Sequence, residues 1–251
     1  MTAELYVVAD GKKYVYSEEF NMIHIHDTGD KIIDPTCTEG GYTLHGCTCE
    51  PNAYKDTYTS ALGHEFADGK CTRCGISVLD AFTDVKKGSY CYEAVKWAVA
   101  KGITKGTDAT HFSPNATCTS GQVVTFMYRA EGEPAVGGSN GFVDVAAGSY
   151  CSDAVQWAVA NGITKGTDAT HFSPNATCTR GQVVTFMYRA EGEPAVGGNV
   201  GFVDVAAGSY CYNAVQWAVA NGITKGTDAT HFSPNATCTR GQVVTFLYRA
   251  Q

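Results

Sequence analysis

The sequence predicts a mainly α-helical protein with three tandem helical hairpins, preceded by a small β and cysteine-rich module. Two observations lead to this prediction. Residues 141–190 and 201–250 agree at 47 of 50 positions, and residues 81–130 match 141–190 at 41 of 50, each time at an offset of 60. Each copy also contains two stretches with helical periodicity. A unit of about 50 residues buries little of its own surface, so the copies are expected to pack on one another.

The chain begins with a predicted strand-rich segment, residues 1–35. Residues 4–8 and 13–16 flank Asp10-Gly11, a dipeptide typical of hairpin turns. Residues 36–78 are rich in Cys, Gly and Thr and have no helical period. This second segment is therefore expected to depend on a metal ion or on disulfides, with a fold similar to a zinc ribbon.

The three repeats are predicted over residues 80–132, 140–192 and 200–251. In the second copy, a first helix begins at Ser149 or Tyr150 and ends at Gly162, a typical C-cap residue. After an ordered loop, a second helix opens at Thr179, which forms a capping box pattern with Gln182. Glycine and proline in the linkers between copies indicate exposed connections.

Composition excludes several classes of function. A net charge of −7 argues against a nucleic-acid groove or an anionic membrane surface as partner. No stretch approaches the 18 apolar residues of a membrane span. No signal peptide is visible after Met1, which fits either a cytosolic protein or a piece of a longer exported one.

An arginine in the first turn of the second helix points to an anion site. Arg180 and Arg240 follow the N-cap threonines directly. A cation there is unfavourable by roughly 0.3–1 kcal/mol, because it meets the positive end of the helix dipole. Free amide groups beside a guanidinium can bind a carboxylate or a phosphate. The alternative is a solvated arginine that extends outward.

Several motifs recur in the same order in each copy. The second copy contains Phe142-Val-Asp144, Trp157-Ala158, Gly162-Ile163, Gly166-Thr167, Phe172-Ser-Pro174 and Thr179-Arg-Gly-Gln182. In order and spacing, these motifs resemble the S-layer homology (SLH) domain over residues 80–251. The resemblance implies a pseudo-threefold bundle of three repeats. It also implies a non-catalytic module that binds pyruvylated secondary cell-wall polysaccharide in grooves between repeats and anchors an extracellular bacterial protein to the wall.

The resemblance carries over a set of ligand-binding residues. They are Arg180 and Arg240; Asp84, Asp144 and Asp204; Trp97, Trp157 and Trp217; and Gly106, Gly166 and Gly226. The residues themselves leave open that each tryptophan packs in the core and that each aspartate is a turn or cap residue. This chain departs from the family in having Ser120 at the first arginine position, which puts one groove in doubt, and Gln instead of Glu three residues after the N-cap threonine.

Each repeat also carries two cysteines at constant separation, which the family pattern lacks. The expected disulfides join Cys91 to Cys118, Cys151 to Cys178, and Cys211 to Cys238. Buried free thiols are the alternative.

The cysteine-rich segment predicts a structural zinc site. Cys71-x2-Cys74 has the spacing of a zinc knuckle, and Cys47, Cys49 and His64 can supply further ligands. Disulfides within the segment are the alternative. A catalytic zinc is not expected, since no His-Glu-x-x-His occurs.

Two functions other than wall binding fit the sequence. The near-identical copies suit an adhesive protein–protein module that gains affinity from multivalency. An enzyme is the third reading, but about 80 residues before the repeats are too few for most catalytic folds.

Overall fold

The computed structural model describes residues 3–9, 12–18, 29–46, 53–67, 70–77, 82–108, 110–198 and 200–251. The chain divides into two compact units, residues 1–60 and 61–251. The division falls inside the segment 36–78, which the sequence predicts as one module. None of the helices in these described ranges is long and apolar enough to cross a membrane.

The first unit is built from antiparallel strands. Strands β1 (Ala3–Ala9) and β2 (Lys12–Glu18) pair so that Ala9 faces Lys12, which confirms the predicted hairpin strands. The Asp10-Gly11 turn itself lies outside the described residues.

A three-stranded sheet follows in the same unit. Its order is β3 (Lys31–Ile33), β4 (Tyr42–His45) and β5 (Tyr54–Asp56). Strands this short carry few ladder hydrogen bonds, and side chains add to them. His45 bridges Asp30 at 2.7 Å and Asp56 at 2.9 Å, so one imidazole joins the sheet to the chain before it.

The second unit opens with a short hairpin and continues as helices. The hairpin pairs β6 (Phe66–Ala67) with β7 (Lys70–Cys71). The described residues of this unit contain six helices: α1 (Tyr92–Ala100), α2 (Ser120–Ala130), α3 (Ser152–Ala160), α4 (Arg180–Ala190), α5 (Tyr212–Ala220) and α6 (Arg240–Arg249). The prediction of two helices per repeat is confirmed.

The starts of the second helices follow the predicted chemistry. The Thr179 side chain accepts a hydrogen bond from the Gln182 N–H, and the Gln182 side chain accepts one from the Thr179 N–H. The same capping box opens α2 and α6. The first helices begin later than expected: α3 starts at Ser152, with Cys151 as its N-cap.

The repeats pack on one another through their second helices. The closest helix pairs are α2 with α3, α4 with α5, and α6 with α1, so each pair joins two repeats. The helices α2, α4 and α6 also contact one another. Helix α6 therefore brings the last repeat against the first.

A ring of backbone hydrogen bonds links the segments that precede these three helices. The N–H of Cys118 donates to the carbonyl of Cys238, that of Cys178 to Cys118, and that of Cys238 to Cys178, at 2.9–3.0 Å. The three segments thus meet at one place, and the first residue of each second helix lies just beyond it.

The predicted disulfides are wrong for this structure, in which Cys91, Cys118, Cys151, Cys178, Cys211 and Cys238 are buried free thiols. The two cysteines of a repeat face different neighbours. Cys178 belongs to the backbone ring, whereas the Sγ of Cys151 lies 3.3 Å from where a Cβ on Gly121, in the preceding repeat, would be. Burial raises the pKa of the Cys178 thiol to about 12, so it stays protonated.

Candidate ligand-binding grooves and a candidate metal centre

The predicted aspartates tie the entry segment of each repeat to its central loop. Asp144 accepts hydrogen bonds from the backbone N–H of Phe172 (3.0 Å) and Ser173 (2.8 Å). Burial opposes ionisation, but these two donors hold the pKa of Asp144 below its usual value. Asp84 and Asp204 make the matching bonds in the other copies. Each aspartate therefore has a structural role close to the loop that carries the predicted glycine.

The predicted glycines allow that loop to close over a phenylalanine. Gly166 has φ +81°, and a Cβ there would lie 2.5 Å from both the Phe142 ring and the His171 carbonyl. Gly106 and Gly226 are in the same situation. A side chain at these positions would be strained by the backbone and would clash.

Three grooves share one construction, and we number them by the repeat whose loop lines them. Each is bounded by a Thr-Lys-Gly loop and the second helix of one repeat, a tyrosine of the next repeat, and the first helical residue of the previous one. Grooves I, II and III enclose about 550, 510 and 360 Å³. Their loops are 104–106, 164–166 and 224–226; their tyrosines are Tyr150, Tyr210 and Tyr90; and their first helical residues are Arg240, Ser120 and Arg180.

Arg180 lines groove III and is only 4% exposed. Its Nε donates to the carbonyl of Phe232 at 3.0 Å, and its guanidinium lies over the rings of Phe232 and Phe246. Within the described residues, its buried Nη2 has no hydrogen-bond partner. Burial lowers the pKa of Arg180, and the charge of Asp204 acts against this. The alternative that Arg180 extends outward into solvent is therefore wrong for this structure.

Arg240 has the same place in groove I and is 5% exposed. Its Nε donates to the carbonyl of Phe112 at 3.0 Å, and its Nη2 lies 3.5 Å from Thr104 Oγ1. The rings of Phe112 and Phe126 cover its guanidinium. Both predicted arginines thus reach from one repeat into the loop of another.

The predicted tryptophans lie elsewhere, and the structure does not bring them into the grooves. The Trp157 ring packs in a tilted orientation against Tyr128 of the preceding repeat, with ring centroids 5.9 Å apart, and Trp217 packs in the same way against Tyr188. Trp97 and Trp217 line a separate cavity of about 160 Å³ at the C-terminal ends of the second helices. Their position matches the alternative of packing between helices.

Each groove is also lined by an exposed tyrosine, which the sequence does not single out. Tyr90, Tyr150 and Tyr210 have 56–59% of their surface exposed. A Cβ on the second residue of each second helix (Gly121, Gly181 or Gly241) would lie 2.5–2.6 Å from a tyrosine hydroxyl. The glycine of the Thr-x-Gly-Gln motif was the available signal, because it marks a close approach by another group.

A second candidate site lies in the hairpin region of the second unit. The ligand atoms of His64, Cys71 and Cys74 lie within 4.8 Å of one another, and His64 Nδ1 is 3.5 Å from Cys74 Sγ. Although burial opposes ionisation, hydrogen bonds from the backbone of Cys74 and from His64 lower the pKa of the Cys71 thiol to about 5. These three predicted ligands form a group that can hold a metal ion. Cys47 and Cys49 lie outside the described residues.

Fold and grooves together define a class: a module built from repeats, with grooves between the repeats. The chain belongs to the S-layer homology domain family, whose model matches residues 81–123, 141–184 and 201–244. Domains of this family anchor surface proteins to cell-wall polymers, which indicates a protein of the cell surface or cell wall.

Three relatives illustrate where such repeats occur. The chain is 34% identical over 62% of its length to the "Surface-layer 125 kDa protein" of Lysinibacillus sphaericus. It is 22% identical over 80% of its length to the "Exoglucanase XynX" of Acetivibrio thermocellus, and 28% identical over 64% to an "Endoglucanase" of Bacillus sp. strain KSM-635. It spans 13%, 19% and 18% of those relatives.

Proposed function

We propose that this chain is a non-catalytic anchoring module that binds pyruvylated secondary cell-wall polysaccharide in the grooves between its repeats. The acidic ketal of such a polymer presents a carboxylate to each arginine groove. Anchoring needs binding groups alone, and the grooves contain arginine, lysine, tyrosine and backbone amide groups. The relatives named as glucanases fit this proposal, because the chain covers less than a fifth of their length.

The observation that carries the proposal is the state of Arg180. A buried guanidinium normally has its N–H groups satisfied, since an unpaired buried donor costs about 1–3 kcal/mol. Arg180 keeps Nη2 without a partner among the described residues while lining groove III. A carboxylate in this groove can accept that hydrogen bond and neutralise the charge.

We further infer that the repeats close into a pseudo-threefold bundle. The packing of α6 on α1 repeats the packing of α2 on α3 and of α4 on α5. The same equivalence explains why each groove takes residues from all three repeats. In such a bundle, grooves I and III are equivalent arginine sites, and groove II differs by Ser120.

Isothermal titration with purified wall polymer tests the proposal. The double variant Arg180→Ala, Arg240→Ala should lose about 30-fold or more in affinity, because removing a hydrogen-bonded charge from a buried contact costs about 2–5 kcal/mol. Lys86→Ala, Lys87→Ala is the matched control: it removes two exposed charges outside the grooves and should bind normally. Unchanged affinity in a folded double arginine variant would refute the arginine assignment.

The second candidate function is an adhesive protein–protein module. The near-identity of the three copies favours it, because equivalent sites give avidity. Pull-down with native and pyruvate-stripped wall material separates the two functions. Loss of binding after stripping supports the acidic polymer as ligand, and unchanged binding supports another partner.

For the hairpin region, we propose that His64, Cys71 and Cys74 ligate a structural zinc ion. Thiolate and imidazole ligands in a closed set of four are typical of such zinc sites. The low pKa of Cys71 favours this assignment, because the thiolate is the form that binds metal. The sequence predicts Cys47 and Cys49 as further ligands.

Metal analysis of the purified full chain tests this site. We expect one zinc per chain, lost in Cys71→Ser and in Cys74→Ser. Wall binding serves as the control readout and should survive in each variant, because the grooves lie in the repeats. A chain that binds no zinc under reducing conditions would contradict the assignment.

A further inference from the structure

Groove II differs from the other two grooves in one side chain and keeps the same backbone. The Ser120 N–H donates to the carbonyl of Ala176 at 2.9 Å, as the Arg180 N–H does to Ala236 and the Arg240 N–H to Ala116. The serine hydroxyl bonds to that same carbonyl of Ala176 at 3.3 Å. The short side chain therefore ends close to its own backbone.

The groups that hold a guanidinium in grooves I and III are all present in groove II. Phe172 and Phe186 correspond to the ring pairs that cover Arg180 and Arg240. The carbonyl of Phe172 corresponds to the two carbonyls that accept from the arginine Nε atoms, and Thr164 to the threonine near Arg240. We call these four groups the groove II slot: the two rings, the Phe172 carbonyl and the Thr164 hydroxyl.

The charge near the groove agrees with this comparison. Phe172 lines groove II and is buried, with 2% of its surface exposed, as are its counterparts Phe112 and Phe232, which guanidinium groups cover. Asp84 and Asp204 favour the charged forms of Arg240 and Arg180. Asp144 is bonded to the loop of repeat 2 in the same way as those two aspartates are to theirs, but repeat 1 supplies no arginine to balance it.

We propose that the groove II slot binds a guanidinium group supplied from outside the chain, such as the side chain of an arginine in a partner protein. The rings offer cation–π contacts, the carbonyl accepts from a planar donor, and Asp144 contributes an opposite charge.

Two cations line the same groove. Lys165 is exposed to solvent, and Arg189 donates to the Ile163 carbonyl and pairs with Glu193 at 3.6 Å, so both are screened or compensated.

The slot selects a guanidinium rather than an ammonium group. A guanidinium is planar, stacks between two rings and still donates in its own plane. An ammonium ion is more strongly hydrated and gives up more solvation on entering a site between aromatic rings. Guanidinium binding in groove II is independent of wall binding in grooves I and III.

NMR titration of the ¹⁵N-labelled full chain with methylguanidinium, at constant ionic strength, tests the proposal. We expect saturable shifts for the amides of 164–167 and 172, with a dissociation constant on the order of millimolar for so small a ligand. Methylammonium is the matched cation and should shift these signals at least about fivefold less at equal concentration. The peptides Gly-Arg-Gly and Gly-Lys-Gly should repeat this contrast.

Two variants fix the location of the site, and both are expected to fold, because each places in one repeat a residue that another repeat already has. Ser120→Arg fills the slot and should abolish the shifts. Arg180→Ser creates a second slot and should add saturable shifts at 224–232. Equal shifts in the parent and Ser120→Arg chains, or no second set in Arg180→Ser, would overturn the proposal.

Discussion

At the scale of single residues, Arg180 and Arg240 show how a buried charge is tolerated without an ion pair. A buried ion is costly unless its surroundings replace water. Here a backbone carbonyl, two aromatic faces and a nearby aspartate do so. Cation–π contacts contribute about 2 kcal/mol when desolvated. The arginines are thus fixed by groups that hold each guanidinium at the wall of its groove.

The groove loops depend on glycine in a way that one substitution can measure. Gly226 has φ +87°, and a Cβ would lie 2.5 Å from the His231 carbonyl and 2.6 Å from the Phe202 ring. We expect Gly226→Ala to lower the free energy of unfolding by about 2–4 kcal/mol, since left-handed strain and overpacking add. Urea unfolding followed by circular dichroism measures this loss.

Gly222 in the same repeat is the matched control. Its φ is +70°, but a Cβ there would meet nothing within 4 Å. Gly222→Ala should therefore cost only the backbone strain, about 1 kcal/mol. Equal losses in the two variants would mean that the close contact at Gly226 is unimportant.

At the scale of elements, the start of each second helix fixes the groove residue beside it. The N-cap of α6 is Thr239, whose hydroxyl accepts from the Gln242 N–H at 3.4 Å. We expect Thr239→Ala to destabilise the chain by about 1 kcal/mol through loss of this cap. Thr239→Ser retains the acceptor and should lose less than half of that. Thermal unfolding of the three proteins checks the order, and a serine variant as unstable as alanine would show that the methyl group is what matters.

The sequence predicted the features that depend on local chemistry. The capping boxes and the helix around Val183 follow from side chains within four residues of one another, and the structure confirms them. That Arg180 inserts between Phe232 and Phe246 depends on residues 52 and 66 positions away, which periodicity cannot reveal. The same limit explains why the sequence predicts disulfides where the structure has free thiols.

The site residues also divide into those that a local motif reveals and those that depend on distant parts of the chain. The prediction of Gly166 follows from the family motif that contains it, whereas Tyr210 lies on the wall of a groove formed by all three repeats. Trp157 was assigned to the groove from its motif, but it packs against Tyr128 between two repeats. The sequence does not show which face of a helix meets the neighbouring repeat. That face decides whether an aromatic residue such as Trp157 or Tyr210 lies in a groove or packs between repeats.

At the scale of the whole molecule, we expect three equivalent carboxylates to contribute to stability in acid. The backbone N–H of the threonine two residues later, and then the following histidine, lower the pKa of Asp108, Asp168 and Asp228 to about 2. Because the folded pKa lies below the unfolded value near 4, their contribution is complete above pH 4 and is lost as the pH falls towards 2.

Stability should therefore fall between pH 4 and pH 2, and tryptophan fluorescence during urea unfolding at each pH measures this fall. Replacing all three aspartates by asparagine should flatten this part of the pH profile, since asparagine keeps the acceptor oxygen but does not titrate. Glu131→Gln, in an exposed linker, is the single-charge control and should leave the slope unchanged. An unaltered slope in the triple variant would assign acid sensitivity to other groups.

The way the repeats close determines how the molecule unfolds. In a linear array the terminal repeats lose one neighbour and can unfold first. Here α6 packs on α1, with Trp97 5.8 Å from Tyr248, so repeat 1 and repeat 3 stabilise each other.

We expect one cooperative urea transition, with the same midpoint whichever of the three tryptophans is kept as the single fluorescent probe. Trp97→Ala should lower the midpoint seen by Trp217 in repeat 3 as much as that seen by Trp157 in repeat 2, because closure couples all three. Separate midpoints, with repeat 2 the most resistant, would indicate an open array and would remove the basis for grooves shared by the first and last repeats.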